Sequence, residues 1–405
     1  MEETIAEIEI LAQNRSAATS TSMKNPYIIH LPAGDTIGGW NIDFDGWTGN
    51  QKKLHSSQWL SQGYDGILFK GMGRGLSRIR PIADDNFFVG PHNAYVAFES
   101  CTIGVKSVVG KGKAVHMGLA NPTGPILPNF KCILRDVELD AEDQFVWGLF
   151  GYQSDWELID VHFNASMAQG REHNLYAHGF AKDGAYYERV KMDGCGAECL
   201  KHTARPGESR WVKDALIHIK SCTFKNWNQP WSWRGGAGFT AQGSSANILI
   251  EGSRYYGGAT MDKAHCIMLD DSGTDYYSAI DGTPGQGPAN GHVIIRNTGG
   301  ALNGVSQPWN NGICRIGTLQ GGTGVHHCAR TLLVDNCGFY GENTLFMIGG
   351  AGGDSIFGPA AIRNCNTPQV RDIMGALGFK VDVETRIAGP TGVIPMSQGI
   401  VIPKN

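Results

Sequence analysis

The chain has 405 residues, 56 of them glycine, with 18% charged residues and a formal net charge of −4. That balance argues against nucleic acid as the main partner. No apolar run reaches the ~18 residues that a membrane-spanning helix needs. The opening Met1-Glu2-Glu3-Thr4-Ile5 has neither a basic region nor a long apolar run, so it does not read as a secretory signal.

In chain order, residues 1–25 stand apart. Ile5, Ile8 and Leu11 recur at spacing three and predict an amphipathic helix over 4–14. Residues 16–22 read as a flexible linker. Such a helix suits a three-stranded bundle or a docking peptide for a larger particle. Residues 26–64 are expected to form an N-terminal cap, because the end of a stacked structure exposes core and strand edges.

Residues 65–367 carry a repeat. Its unit is an apolar residue, a variable one, a small polar residue or Gly, and a small core-sized residue. Copies are Phe69–Met72, Phe98–Cys101, Leu134–Val137, Leu158–Val161 and Met192–Cys195, then Ile219–Cys222, Ile250–Ser253, Ile295–Thr298, Val334–Cys337 and Ile362–Cys365. A period near thirty residues with elastic spacers predicts a solenoid whose insertions leave as loops. The period-two alternation makes each copy a short strand, and its polar residue or Gly marks the turn. A second strand family includes Val115–Met117, Val146–Leu149, Leu175–His178, Cys199–His202, Phe239–Ala241, Cys266–Leu269, Ile313–Ile316 and Leu345–Ile348. Beyond Thr367 the repeat fails. Val370, Ile373, Met374 and Leu377 suggest a short helix there, with strands after it, so residues 368–405 read as a C-terminal cap or an oligomer contact.

Two further stretches, Ile29-His30-Leu31-Pro32-Ala33-Gly34 and Gly66–Gly73, complete a pattern. The chain resembles the right-handed parallel β-helix superfamily, pectate lyase-like, and most of all phage tailspike and polysaccharide depolymerase proteins. The resemblance covers roughly residues 26–367. It implies an all-β solenoid of about ten to twelve coils. It says less about activity, because one fold hosts many functions.

Cys101, Cys195, Cys222, Cys337 and Cys365 share the fourth repeat position, which should point inward. They are expected to be buried, unbridged and stacked along one inner edge. No cysteine or histidine spacing suits zinc, and no cofactor is expected. A calcium ion in an acidic loop is the one ion left open. Reduced thiols without a signal suggest folding in the host cytoplasm and release within a virion.

Stacking turns repeats into rows about 4.8 Å apart. With Leu175 and Ala177 inward, Tyr176 and His178 face out, joined one coil later by Lys201 and nearby Arg205. Arg171, Glu172, His173 and His202 enrich the neighbourhood in titratable groups. The set Tyr176, His178, Lys201 and Arg205 suits elimination on a uronate sugar: a cation neutralises the carboxylate and Lys, His or Tyr moves protons. Lyases on the resembled fold use basic residues in this way. Hydrolysis instead needs two carboxylates ~5–9.5 Å apart. Its best candidates are Asp270 and Asp271, with Asp275 and Asp281, in the longest insertion. Gln229-Pro230-Trp231-Ser232-Trp233 and Gln307-Pro308-Trp309 repeat a loop, with Trp227 beside the first. An indole plate can stack on a pyranose, so Trp227, Trp231, Trp233 and Trp309 are candidate sugar contacts.

Three functions fit. The leading one is a tailspike-like protein, a homotrimer attached to other virion proteins, that binds bacterial surface polysaccharide, with its cleavage left open. The second is a non-catalytic structural or decoration protein of a particle. The third is a stand-alone polysaccharide lyase.

Overall fold

The computed structural model describes residues 2–19, 23–44, 52–80, 87–90, 95–106, 113–118, 130–144, 147–164, 173–203, 215–225, 236–242, 246–257, 264–270, 291–302, 312–316, 329, 331–340, 345–348, 360–365, 369–372, 381–389 and 392–396.

Short parallel strands stack in three ladders. The first runs from Pro26–His30 through Gly66–Lys70 and ends at Val381–Gly389. The second begins at Gly34–Ile37 and ends at Gly338–Tyr340. The third is a separate 12-stranded sheet that ends at Gln369–Asp372. The chain is a right-handed parallel β-helix, and the interior between the ladders is one continuous apolar core.

The repeat motif is the corner between the first two ladders. Its third residue is left-handed: Ser100, Asp136, Asp160, Ser221, Asn297, Asn336 and Asn364 all have φ near +50° to +55°. One such residue redirects the strand, and Asn, Asp and Gly tolerate the conformation best. The fourth residue then enters the core. Register places Ser77, Cys101, Val137, Val161, Val190, Cys222, Ser253, Thr298 and Cys337 in one inner column, and all are buried.

Two expected copies are displaced. Met72 is 66% exposed, and Ser77 takes its place after a short excursion. Lys191 pairs with Thr223, so Val190, not Cys195, occupies the column. Cys195 is still buried, but it sits past the second ladder with its Sγ 3.2 Å from that of Cys199. All five expected cysteines are buried free thiols.

The expected boundaries also move. The Pro-Ala-Gly opening is already a coil, because strands Pro26–His30, Gly34–Ile37 and Trp40–Ile42 all pair with the next turn. The part of 26–64 that covers the end is the strand Lys52–Leu54 and the one-turn helix Ser57–Leu60, which buries Trp59 against Tyr27. Past residue 367 the solenoid continues. Gln369–Asp372 is a strand, since Val370 lies on a ladder position, and the hairpin Val381–Gly389/Gly392–Met396 comes after it; Ile373, Met374 and Leu377 of the expected helix lie outside the described residues.

The N-terminal helix α1, Glu2–Thr19, forms over the expected residues 4–14 but runs on through 16–19, which the sequence assigns to a flexible linker, and its apolar seam meets its own chain. Ile8 and Ala12, with Ile5 and Leu11, pack on Leu216, Leu249, Ile294, Leu333 and Ala361, an outward stripe on the first ladder. Eighteen residues span ~27 Å, more than enough to cross the five strands, which cover ~19 Å in four steps of ~4.8 Å. Met23 extends the cover onto Leu68, Ala97 and Ile133. The seam assigned from sequence to a trimeric bundle is therefore already occupied. Deleting residues 1–22 is expected to lower the melting temperature and cause concentration-dependent association, because the stripe becomes solvent-exposed. An unchanged melting curve would refute the docked helix. A trimer that falls to monomer would restore the bundle.

Arg296 fastens this helix. It bonds Glu9 at 2.6 Å and Glu251 at 3.0 Å, and Glu251 also meets His218 at 2.8 Å. The His218 contact, then Arg296, hold the Glu251 carboxyl down at about 2. A depressed carboxyl stabilises the fold above its unfolded pKa, and that contribution is lost as pH falls through the folded value. Acid unfolding between pH 4.5 and about 2 is thus expected to be less steep in Glu251→Gln than in the parent, read by circular dichroism.

Candidate functional site: the outer face of the third ladder

Strand His173–His178 supplies the centre of the site. Leu175 and Ala177 lie in the core, which turns Tyr176 and His178 to the other face. The turn after His178 is pinned from below. The buried Asp155 carboxylate accepts the backbone N–H groups of Ala181 at 3.1 Å, Asp183 at 2.8 Å and Gly184 at 3.0 Å.

The next coil adds Leu200–Thr203, with Lys201 beside Tyr176 and Thr203 beside His178. Leu200 enters the core. So does His202, whose Nε2 lies 2.8 Å from the Tyr187 hydroxyl. That contact gives the imidazole a polar partner inside the prism, which burial of a polar group requires.

Sequence alternation does not anticipate Glu198. Cys199 and Leu200 both enter the core as consecutive residues, so strict alternation breaks as in a bulge. Glu198 and Lys201 therefore reach the same side. Lys201 Nζ is 3.1 Å from Glu198 Oε1, and His173 Nδ1 is 3.2 Å from Glu198 Oε2. Burial opposes ionisation of Glu198, but the Lys201 ammonium and His173 outweigh it and hold the carboxyl below its usual range. Lys201 Nζ also lies 5.4 Å from the Tyr176 ring centre. Tyr176 and His178 rings are 4.3 Å apart, and His178 stacks on Tyr152 at 4.9 Å.

The result is a connected set, His173, Glu198, Lys201, Tyr176 and His178, within two coils. Three of the four residues chosen from sequence as catalytic are described, and the structure brings all three together. It also corrects their expected setting. Tyr176 is 8% exposed, His178 2% and Lys201 9%, so this is no open row of surface side chains. Lys201 is not a free cation, because Glu198 neutralises it. Arg205 lies outside the described residues, as do Asp271, Trp227, Trp231, Trp233 and Trp309. The Asp270 backbone pairs with Gln242, and its side chain is outside the described set. Among the described residues, no group of three or more His, Cys, Asp or Glu side chains could hold a metal ion. No described helix is long and apolar enough to cross a membrane.

The same face continues towards the N-terminus. Phe150 pairs with both His116 and Tyr176, and Phe88 pairs with His116. Rings of Phe44, Phe88 and Phe150 surround the His116 imidazole at 5.5, 5.5 and 5.1 Å. The signal was present in sequence as His116 and Phe150 at the position of Tyr176, but only the exact register reveals it.

The sequence matches no protein-family model, and no curated protein matches it. Among solved structures, the chain is similar to the catalytic domain of a GH87 α-1,3-glucanase in complex with nigerose. One variant of that domain matches with a TM-score of 0.45 at 13% identity, and a second with 0.43 at 12%. Each match covers 89% of this chain, which spans 64% of the length of the glucanase domain.

Proposed function

We propose that this β-helix is a tailspike-like protein that binds and cleaves bacterial surface polysaccharide, with the outer face of the third ladder as its site. The observation that carries the reading is the set His173–Glu198–Lys201–Tyr176–His178. Bonded ionisable groups with shifted pKa values cluster at functional sites, and structural ion-pair networks share that signature.

The set supplies one carboxylate towards hydrolysis, Glu198, and it does not supply the free cation of the elimination that the sequence put first. Elimination on a uronate needs an uncommitted cation, and Lys201 is committed to Glu198. Glycoside hydrolysis passes through an oxocarbenium-like state and takes two carboxylates; Glu198 would be one, and the second would come from outside the set. Tyr176 and His178 are placed to move a proton to the leaving oxygen.

Eight free, buried cysteines among the described residues support folding in a reducing compartment before any extracellular role. Attachment to other virion proteins, homotrimeric assembly and sugar contact by the tryptophan loops belong to the same proposal. One observation favours the non-catalytic reading instead: every member of the set is buried, as in a structural ion-pair network. Incubation with a panel of capsular, O-antigen and uronate polysaccharides separates the two. New reducing ends without absorbance at 235 nm support hydrolysis. Absorbance at 235 nm means elimination, and binding without product means a spacer or adhesin.

A further inference from the structure

The outer face of the third ladder holds polar groups with nothing to bond among the described residues. His116 lacks a partner at both ring nitrogens, and the hydroxyls of Thr203 and Thr240 lack one too. All three residues are buried. Unsatisfied buried groups cost stability, and native structures keep few of them. These three are not scattered. Register places His116, Phe150, Tyr176, Lys201 and Thr240 in one row, each against the next, with Thr203 beside it against His178. Four steps of ~4.8 Å make the row ~19 Å long.

The geometry points to a neutral, hydroxyl-rich glycan as the ligand of this face, lying along the helix axis from His116 to Thr240. This rests on the polysaccharide reading and names its substrate class. A sugar hydroxyl both donates and accepts, which complements a neutral imidazole and two threonine hydroxyls. Burial, and then the nearby Lys113 charge, push the His116 pKa well below its usual value, so the ring stays neutral. Phe44, Phe88 and Phe150 line the His116 end of the row with aromatic rings, Phe88 and Phe150 being buried, and such rings suit the C–H faces of a pyranose. A polyuronate finds no such match among the described residues. Lys201 is paired with Glu198, and Lys113 lies over the Phe150 ring at 4.8 Å.

The test uses the intact chain, dextran, mannan, α-1,3-glucan and a neutral bacterial O-polysaccharide, against polygalacturonate and alginate. Binding to at least one neutral glycan is expected, with little dependence on salt. Thr240→Val and Thr203→Val keep the shape and remove only an unsatisfied hydroxyl. Each is expected to keep or raise the melting temperature while weakening binding roughly three- to tenfold, the value of one hydrogen bond. Unchanged affinity in both variants overturns the inference. So does salt-sensitive binding to the polyuronates alone, which would leave the polysaccharide reading standing. Binding to none of the six overturns both.

Discussion

Replacing Cys222 with aspartate is expected to cost several kcal/mol and to leave little soluble native protein. The reason lies in what the side chain faces. Cys222 Sγ donates towards the carbonyl oxygens of Lys220 at 3.4 Å and Tyr187 at 3.5 Å. Thr298 and Ser253 make the same bond two residues back, to Arg296 and Glu251, at 2.9 and 3.2 Å. Cys337 and Cys365 do so at 3.3 and 3.0 Å. The column therefore accepts a small donor or a small apolar group, and an aspartate would set a carboxylate against two carbonyl oxygens. Cys222→Ser and Cys222→Val are expected to fold, which controls for packing. Burial pushes the Cys101 and Cys222 thiols up to about 12, so both are expected to resist a water-soluble thiol reagent until the protein unfolds. A soluble Cys222→Asp variant with the parent melting temperature would refute the column.

The second large effect concerns the candidate site. Removing Glu198 alone would leave Lys201 and His173 buried without their counter-charge, a loss of ~3–5 kcal/mol that could mask catalysis. The double variant Glu198→Gln, Lys201→Met removes both charges together and is expected to stay folded. Its cleavage of the glycan is expected to fall ~10²–10³-fold, the range for loss of one electrostatic contact to the transition state, with binding retained. Tyr176→Phe, which loses one hydroxyl, tests proton transfer with less disturbance. Parent rates in the double variant would make the set a structural network.

The solenoid is legible in the sequence because its corner is chemically demanding. A left-handed residue and a small inward residue leave a mark in every coil, and a period near thirty exposes it. Reading fails where a coil meets that demand by other means. Arg189 holds the left-handed position at φ 53°, anchored by Asp160 at 2.7 Å. The better-looking Met192–Cys195 nearby drew the assignment away by five residues. The helix α1 was legible as amphipathic, but which surface would receive its seam was not, since Leu249, Ile294 and Leu333 stand 39 to 45 residues apart in sequence. At the site, alternation correctly turned Tyr176, His178 and Lys201 outward. It missed Glu198 because consecutive core residues at 199 and 200 reset the parity. It also looked for aromatic partners in later loops, whereas the described rings, Phe150 and Tyr152, come from the preceding coil.

A crystal structure of the chain with a bound oligosaccharide from a glycan it cleaves or retains tests the central claim most directly. The sugar is predicted on the outer face of the third ladder, in contact with Tyr176 and Lys201 and reaching His116. A sugar seated instead on the second ladder, around the exposed Tyr256 and Lys225, with the Glu198–Lys201 pair still closed, would contradict it.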